Sequence, residues 1–293
     1  MDRPMGDRLS EFQTRLLRAR TGLMQLWTVS PPLVLGLATS SGVLLTFLLI
    51  FAVRGDGRGA ATSPAITPPA PTAALPQLGP RHQLNYQQWV DLLAQEASIV
   101  AEQRPEQLTV LLGDSISLWF PHELLPGDRH WLNQGISGET AEGLLYRLHL
   151  LDATEPRTIL LMIGINDLLR GIDDVTLMGQ YQQIIHYLRH THPNTQIVVQ
   201  SILPHADERA TWEGRDRLLS VPNSRIENLN QQLGAIAAAE GVYFLNLYPL
   251  FTDETGNLDP QLSTDGLHLN QQGYLVWRTG LHVYIQQVLE AKG

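Results

Sequence analysis

Gly113-Asp114-Ser115 closes the apolar run Leu108 to Leu112, which sets a serine hydroxyl at the exit of a buried strand. A serine hydroxyl is a weak nucleophile until a base takes its proton, the base is oriented and the developing oxyanion finds donors. Asp265-Gly266-Leu267-His268 offers the first two requirements: a carboxylate three residues before an imidazole in a glycine-containing loop, with Asn270 available to cap the helix that follows. The chain has ten histidines, and this short spacing to an acid singles out His268. Two further loops offer donors. Asn133-Gln134-Gly135-Ile136-Ser137-Gly138-Glu139-Thr140 carries Gly138, whose N–H no side chain shields, and Gly164-Ile165-Asn166-Asp167 carries the Asn166 amide. Together with the Ser115 N–H they could aim three donors at one oxygen. Each loop read alone is more readily an ordinary turn or helix cap. Their joint supply of nucleophile, base, acid and donors points to acyl chemistry on a serine.

These residues need a frame that brings strand ends together. Tyr86, Trp89, Val90, Leu93, Ala97 and Val100 recur at helical spacing before the first strand. Further strands are expected at 130–134, 158–163, 196–201 and 242–246, with helices near 139–151, 174–190, 223–240 and 271–289. Short β-rich runs separated by helices imply an α/β fold, a parallel sheet with helices on both faces, and chemistry at the carboxyl ends of the strands. The segment 204–222 is the longest without periodicity and is expected on that rim. Within it, Trp212 could stack on a sugar, cover the site or have no role. Trp119 and Phe120 could line an acyl pocket or pack in the core. His190 and His192, just before Pro193, read as the end of a helix rather than as metal ligands.

Composition narrows the function classes. Across 293 residues, 43% are hydrophobic and 17% charged, which excludes an intrinsically disordered chain. Cysteine is absent, so no disulfide framework, Cys-ligated metal or catalytic thiol is available. The net charge of −9 is concentrated after residue 80 and argues against a nucleic-acid partner. The amino-terminal part differs. No charged residue lies between Arg20 and Arg54, and Leu33 to Val53 is an apolar run of 21 residues, long enough for the roughly 30 Å of bilayer hydrocarbon. A transmembrane helix is expected there, because a cleaved signal peptide has a shorter apolar region and a core helix is amphipathic. Five arginines precede this run within residues 1–32, placing the N-terminus in the cytoplasm and everything after Val53 on the outer, extracytoplasmic side. The expected organisation is a short cytoplasmic segment (1–32), a single membrane span (33–53), a Pro/Ala-rich linker (54–80) and a folded domain (81–293).

The four blocks, taken in order, resemble the SGNH hydrolase superfamily, also called the GDSL esterase/lipase family, over roughly residues 107–289. The matching residues are Gly113-Asp114-Ser115, Gly138 within Gly-Ile-Ser-Gly-Glu-Thr, Gly164-Ile165-Asn166-Asp167, and Asp265-Gly266-Leu267-His268. The resemblance implies a flavodoxin-like three-layer α/β/α fold with a five-stranded parallel sheet, and neither metal nor cofactor. It implies Ser115 as nucleophile, His268 as general base and Asp265 as its orienting acid. The oxyanion hole would comprise Ser115, Gly138 and Asn166, while Asp114 and Asp167 serve loop structure. Asn-Gln-Gly-Ile-Ser-Gly-Glu-Thr and His-Leu-Asn-Gln-Gln-Gly-Tyr are most similar to the branch of platelet-activating-factor acetylhydrolase catalytic subunits. Leu269 departs from the proline found after the histidine in lysophospholipase/thioesterase-type members. The implied activity is a serine ester hydrolase releasing short acyl groups, with a glycan O-acetyl group or a lipid ester as substrate and the membrane as partner through the N-terminal helix. The alternatives are an acyltransferase using the same serine and a non-catalytic glycan- or protein-binding module, the latter disfavoured because all four blocks are intact.

Overall fold

Residues 84–290 are described by the structure, a computed structural model. The expected cytoplasmic segment, membrane span and linker lie outside the described residues. Among the described residues, no helix is long and apolar enough to cross a membrane.

Five strands form the frame: β1 (Leu108–Gly113), β2 (His130–Gly135), β3 (Thr158–Met162), β4 (Gln196–Gln200) and β5 (Tyr243–Leu245). They make one sheet in the order β2-β1-β3-β4-β5, and every pairing is parallel. Every residue of β1 and of β3 is buried, which is why these strands read as continuous apolar runs without alternation. The crossover leaving β1 runs to β2 at one edge, whereas the crossover leaving its neighbour β3 runs to β4 on the other side. The crevice beyond the carboxyl ends of β1 and β3 is therefore the topological switch point, where open α/β sheets place their ligands.

The main helices are α1 (Tyr86–Gln103), α2 (Ala141–Arg147), α3 (Asp174–Thr191), α4 (Asn223–Ala239) and α5 (Gln271–Tyr284). Helix α1 begins with a capping box: the Asn85 side chain accepts from the Gln88 N–H and the Gln88 side chain accepts from the Asn85 N–H. On one face of the sheet α2 packs on α3 and α3 on α4. The other face carries α5: the Trp277 indole donates to Gln200 Oε1 of β4 at 2.8 Å, and the Tyr284 hydroxyl to the Phe244 carbonyl of β5. Trp277, fully buried, stacks with Tyr274 and meets Phe120 in a tilted arrangement. Burying each such aromatic contributes roughly 1.5–3 kcal/mol, offset by lost conformational entropy.

The expected elements are present, with altered ends. The helix expected over 139–151 is α2 followed by a 3-10 turn, Leu148–Leu151, because Thr140 caps α2 by accepting from the Gly143 N–H. The helix expected over 271–289 is α5 continued by a π-helical turn, Ile285–Leu289. The aperiodic segment 204–222 lies beyond β4 and contains a 3-10 turn (Asp207–Arg209) and a short helix (Arg215–Leu219).

Candidate active site

Ser115 opens a four-residue helix, Ser115–Leu118, directly beyond β1. Asp114 is its N-cap and accepts from the Ile116 N–H at 2.9 Å, so the aspartate side chain shapes the turn that presents the serine. The Tyr274 hydroxyl donates to the Ile116 carbonyl at 3.0 Å and ties this turn to α5. Ser115 Oγ lies 3.1 Å from His268 Nε2, although 153 positions separate the two residues.

His268 is held by its own loop. Its Nδ1 lies 2.8 Å from Asp265 Oδ2, while Asp265 Oδ1 accepts from the N–H groups of Leu267 and His268. A carboxylate only accepts, so Nδ1 carries the proton and Nε2 is left as the acceptor for the Ser115 hydroxyl. Burial raises the Asp265 pKa, but the hydrogen bonds from the His268 ring and from the two backbone N–H groups outweigh it and hold the carboxyl below its ordinary value. Ser263 Oγ and the Thr264 N–H both donate to the His268 carbonyl. The 204–222 segment supplies an outer brace: the Thr211 and Trp212 N–H groups donate to the Asp265 carbonyl at 2.8 and 2.9 Å, and the Ala206 N–H donates to the Gly266 carbonyl.

The Gly138 loop leaves β2 beside the serine, since Gly113 pairs with Gly135 and the Ile136 N–H donates to the Gly113 carbonyl. Glu139 N–H donates to the Ile136 carbonyl across a turn whose third residue, Gly138, has φ +75°. That is a type II turn, which needs glycine at this position. Among the described residues the Gly138 N–H has no partner, so it remains available. Asn166 lies in the short helix Ile165–Leu169 beyond β3, and its Nδ2 donates to the Glu139 carbonyl at 3.0 Å, joining the two loops.

A buried charged network stands behind these loops. Glu139 and Arg147 form an ion pair at 2.7 Å with both side chains almost wholly buried, and Arg147 also donates to the Gln134 carbonyl. Burial pushes Asp114 up to about 7, against the opposing Ile116 N–H and with help from the nearby Asp167 and Glu139 carboxylates. Asp167 rises to about 6, again mainly by burial, opposed by the Ala141 N–H and by Arg170.

Residues 98–276 match the model of the GDSL-like lipase/acylhydrolase family. The chain belongs to that family. Among solved structures it is similar to one from Streptococcus pneumoniae described as a candidate platelet activating factor, with 26% identity and a TM-score of 0.60 over 68% of this chain and 94% of that one. A GDSL-like lipase from Bacteroides thetaiotaomicron shares 22% identity with a TM-score of 0.58, covering 68% of this chain and 97% of its own. A candidate acylhydrolase from Bacteroides fragilis shares 19% with a TM-score of 0.57, covering 69% and 98%. The last two likenesses concern the fold. No curated protein matches the chain. As a member of the GDSL-like lipase/acylhydrolase family, the protein is an ester hydrolase.

The other residues singled out in the sequence fall into place around this centre. Phe120 is buried against Tyr274 and Trp277, at ring-centroid distances of 5.1 and 4.9 Å, and is therefore core. Trp119 is 39% exposed. Trp212 is half-buried beneath Arg217, whose guanidinium lies 5.0 Å from the ring centroid. His192 ends α3 and is buried, which lowers its pKa. Among the described residues no group of three His, Cys, Asp or Glu side chains is placed to hold a metal ion. Sequence reasoning gave no role to Arg147, Arg170, Tyr274 or the main-chain brace at 211–212: Arg170 and Tyr274 act on residues 32 and 158 positions away, and main-chain donors leave no side-chain pattern.

Proposed function

We propose that the protein is a membrane-tethered serine ester hydrolase. The reading rests above all on the continuous path from Ser115 Oγ to His268 Nε2 at 3.1 Å and from His268 Nδ1 to Asp265 Oδ2 at 2.8 Å. Ser115 Oγ attacks the ester carbonyl carbon while Nε2 takes its proton, and Asp265 stabilises the imidazolium that forms. The tetrahedral oxyanion accepts from the Ser115 N–H, the Gly138 N–H and the free hydrogen of Asn166 Nδ2. Collapse breaks the bond to the alcohol, which leaves with the proton returned by the imidazolium. Water, deprotonated in turn by Nε2, attacks the acyl-serine; the acid departs and Oγ recovers its proton.

The acyl group is short, a reading supported by the motif resemblance to acetylhydrolases. The substrate class is an O-acetylated glycan, because residues 33–53 hold the domain at the outer face of a membrane by way of the 54–80 linker. Hydrolysis of chromogenic acetate, butyrate, octanoate and palmitate esters by the full chain, beside Ser115→Ala and His268→Ala, tests both statements. The expected result is an optimum at acetate or butyrate and loss of activity in both folded variants. An optimum at palmitate would replace the glycan by a lipid ester, and activity surviving Ser115→Ala would overturn the mechanism. Extraction of membranes at alkaline pH tests the tether: the full chain should stay with the membrane, and release into the supernatant would refute the anchor.

A further inference from the structure

The loop that carries Gly138 is held along its length by a single short turn of the neighbouring crossover. Arg170 Nη2 donates to the Gly138 carbonyl at 2.7 Å. Asn166 Nδ2 donates to the Glu139 carbonyl at 3.0 Å. Both carboxylate oxygens of Asp167 accept from the Ala141 N–H at 3.1 Å. The peptide between Gly138 and Glu139 is bonded on both sides, because its N–H also closes the turn onto the Ile136 carbonyl. So three successive peptide units after Gly138 each have a partner from outside their own backbone, and that partner always comes from residues 166–170. The unit before them, which carries the Gly138 N–H, is the one left open.

A type II turn interconverts with a type I turn by flipping its central peptide, and here that peptide is the one bearing the Gly138 N–H. A flip would point the carbonyl of Ser137 where the donor belongs. Fixing the next three peptides removes the backbone slack that a flip requires. Asn166 is already assigned a direct part in the oxyanion hole; Asp167 and Arg170 are not. Arg170 is exposed, so its hydrogen bond is not needed to fill a core. Asp167 is buried, and a carboxylate brought into that position without a donor would be strongly unfavourable.

We infer that Arg170 and Asp167 are positioning residues for the oxyanion hole, acting through the Gly138 loop to keep the Gly138 N–H aimed at the reacting oxygen. This rests on the serine-hydrolase reading of the same site. The role is transition-state specific: substrate binds before charge develops on the carbonyl oxygen, so loss of aim lowers kcat and leaves KM nearly unchanged.

The test compares Arg170→Met, Arg170→Lys and Asp167→Leu in the full chain with a chromogenic acetate ester, alongside Ser115→Ala. An arylboronic acid, which forms a tetrahedral adduct with an active-site serine, serves as a second readout. Arg170→Met should lower kcat roughly 10–100-fold with KM within about 3-fold, the scale of a misplacement near 1 Å. Boronic acid affinity should weaken by a similar factor, and Arg170→Lys, which retains one donor for the Gly138 carbonyl, should recover part of both. Asp167→Leu, which leaves the Ala141 N–H without its acceptor, should follow Arg170→Met; should it fail to fold, the exposed Arg170 pair decides the matter. Wild-type kcat in folded Arg170→Met overturns the inference, and so does a loss confined to KM, which would place Arg170 against substrate. If Ser115→Ala is inactive in the same assay, such a result removes the positioning role alone; if Ser115→Ala keeps the wild-type rate, the serine reading falls and this inference with it.

Discussion

The His268 loop and the Gly138 loop flank the same serine but are secured by different means. The His268 loop is braced by short-range contacts from Asp265 and Ser263 and by main-chain bonds from Ala206, Thr211 and Trp212. Those outer donors are backbone groups and do not depend on which side chains the segment carries. The Gly138 loop is instead held by the side chains of Asn166, Asp167 and Arg170, backed by the buried Glu139–Arg147 pair. The histidine side should therefore tolerate side-chain replacement in its brace and respond to changes of backbone geometry. The oxyanion side should be sensitive to single side chains.

The comparison breaks most visibly at Asn166. Asn166→Ala removes the bond to the Glu139 carbonyl and, in the mechanism proposed above, a donor to the oxyanion, and steady-state kinetics should show a loss on the order of 10²–10³ in kcat. A rate near wild type in a folded variant would mean that the oxyanion side is not secured as described.

Next in size is the effect of charge behind the oxyanion side. Burial raises Asp114 to about 7, so between about pH 4 and 7 the folded chain holds a proton that the unfolded chain has released. Stability from this group therefore falls as pH rises through that window. Asp114→Asn keeps an acceptor for the Ile116 N–H and removes the titration. Its unfolding free energy should gain on wild type from pH 4 to 7, reaching an advantage of about a few kcal/mol and then levelling off, with the melting temperature following the same course. Parallel melting curves across that range would refute the assignment.

On the histidine side, backbone geometry should decide. Gly266 has φ +89°, and a Cβ there would fall 2.6 Å from Ala210 Cα. Gly266→Ala should destabilise the protein by roughly 1–3 kcal/mol and lower kcat, since the strain falls between Asp265 and His268. Trp212→Ala marks the small end. It keeps the N–H that donates to the Asp265 carbonyl, so kcat should change by less than about 3-fold, within the range of an ordinary surface substitution. A large loss would show that the indole itself serves the site.

Much of this architecture was legible in the chain because it is local. The strand runs of β1 and β3 are uniformly apolar because both faces are covered, and Ser115 stands where the first run ends. Asp265 and His268 lie three positions apart, so their contact could be read from spacing. Gly138 and Asn166 stood out as a small residue and an amide at strand ends. Arg170 did not stand out, because it meets Gly138 across 32 positions and nothing in its own neighbourhood marks it among the 20 Lys and Arg residues. The brace at 204–222 was equally hidden. Main-chain donors leave no side-chain pattern, so the segment showed only an absence of periodicity. Phe120 was ambiguous for a different reason: an aromatic suits a core and an acyl pocket alike, and only the packing of Tyr274 and Trp277 decides.

The central claim is that Ser115 Oγ is the atom acylated, with His268 activating it. The most direct measurement is active-site labelling of the full chain with a fluorophosphonate, followed by peptide mass spectrometry of wild type, Ser115→Ala and His268→Ala. The account predicts one phosphonylated residue, Ser115, with no label in Ser115→Ala and labelling slowed by several orders of magnitude in His268→Ala. Label on another residue, or an unchanged rate in folded His268→Ala, would contradict it.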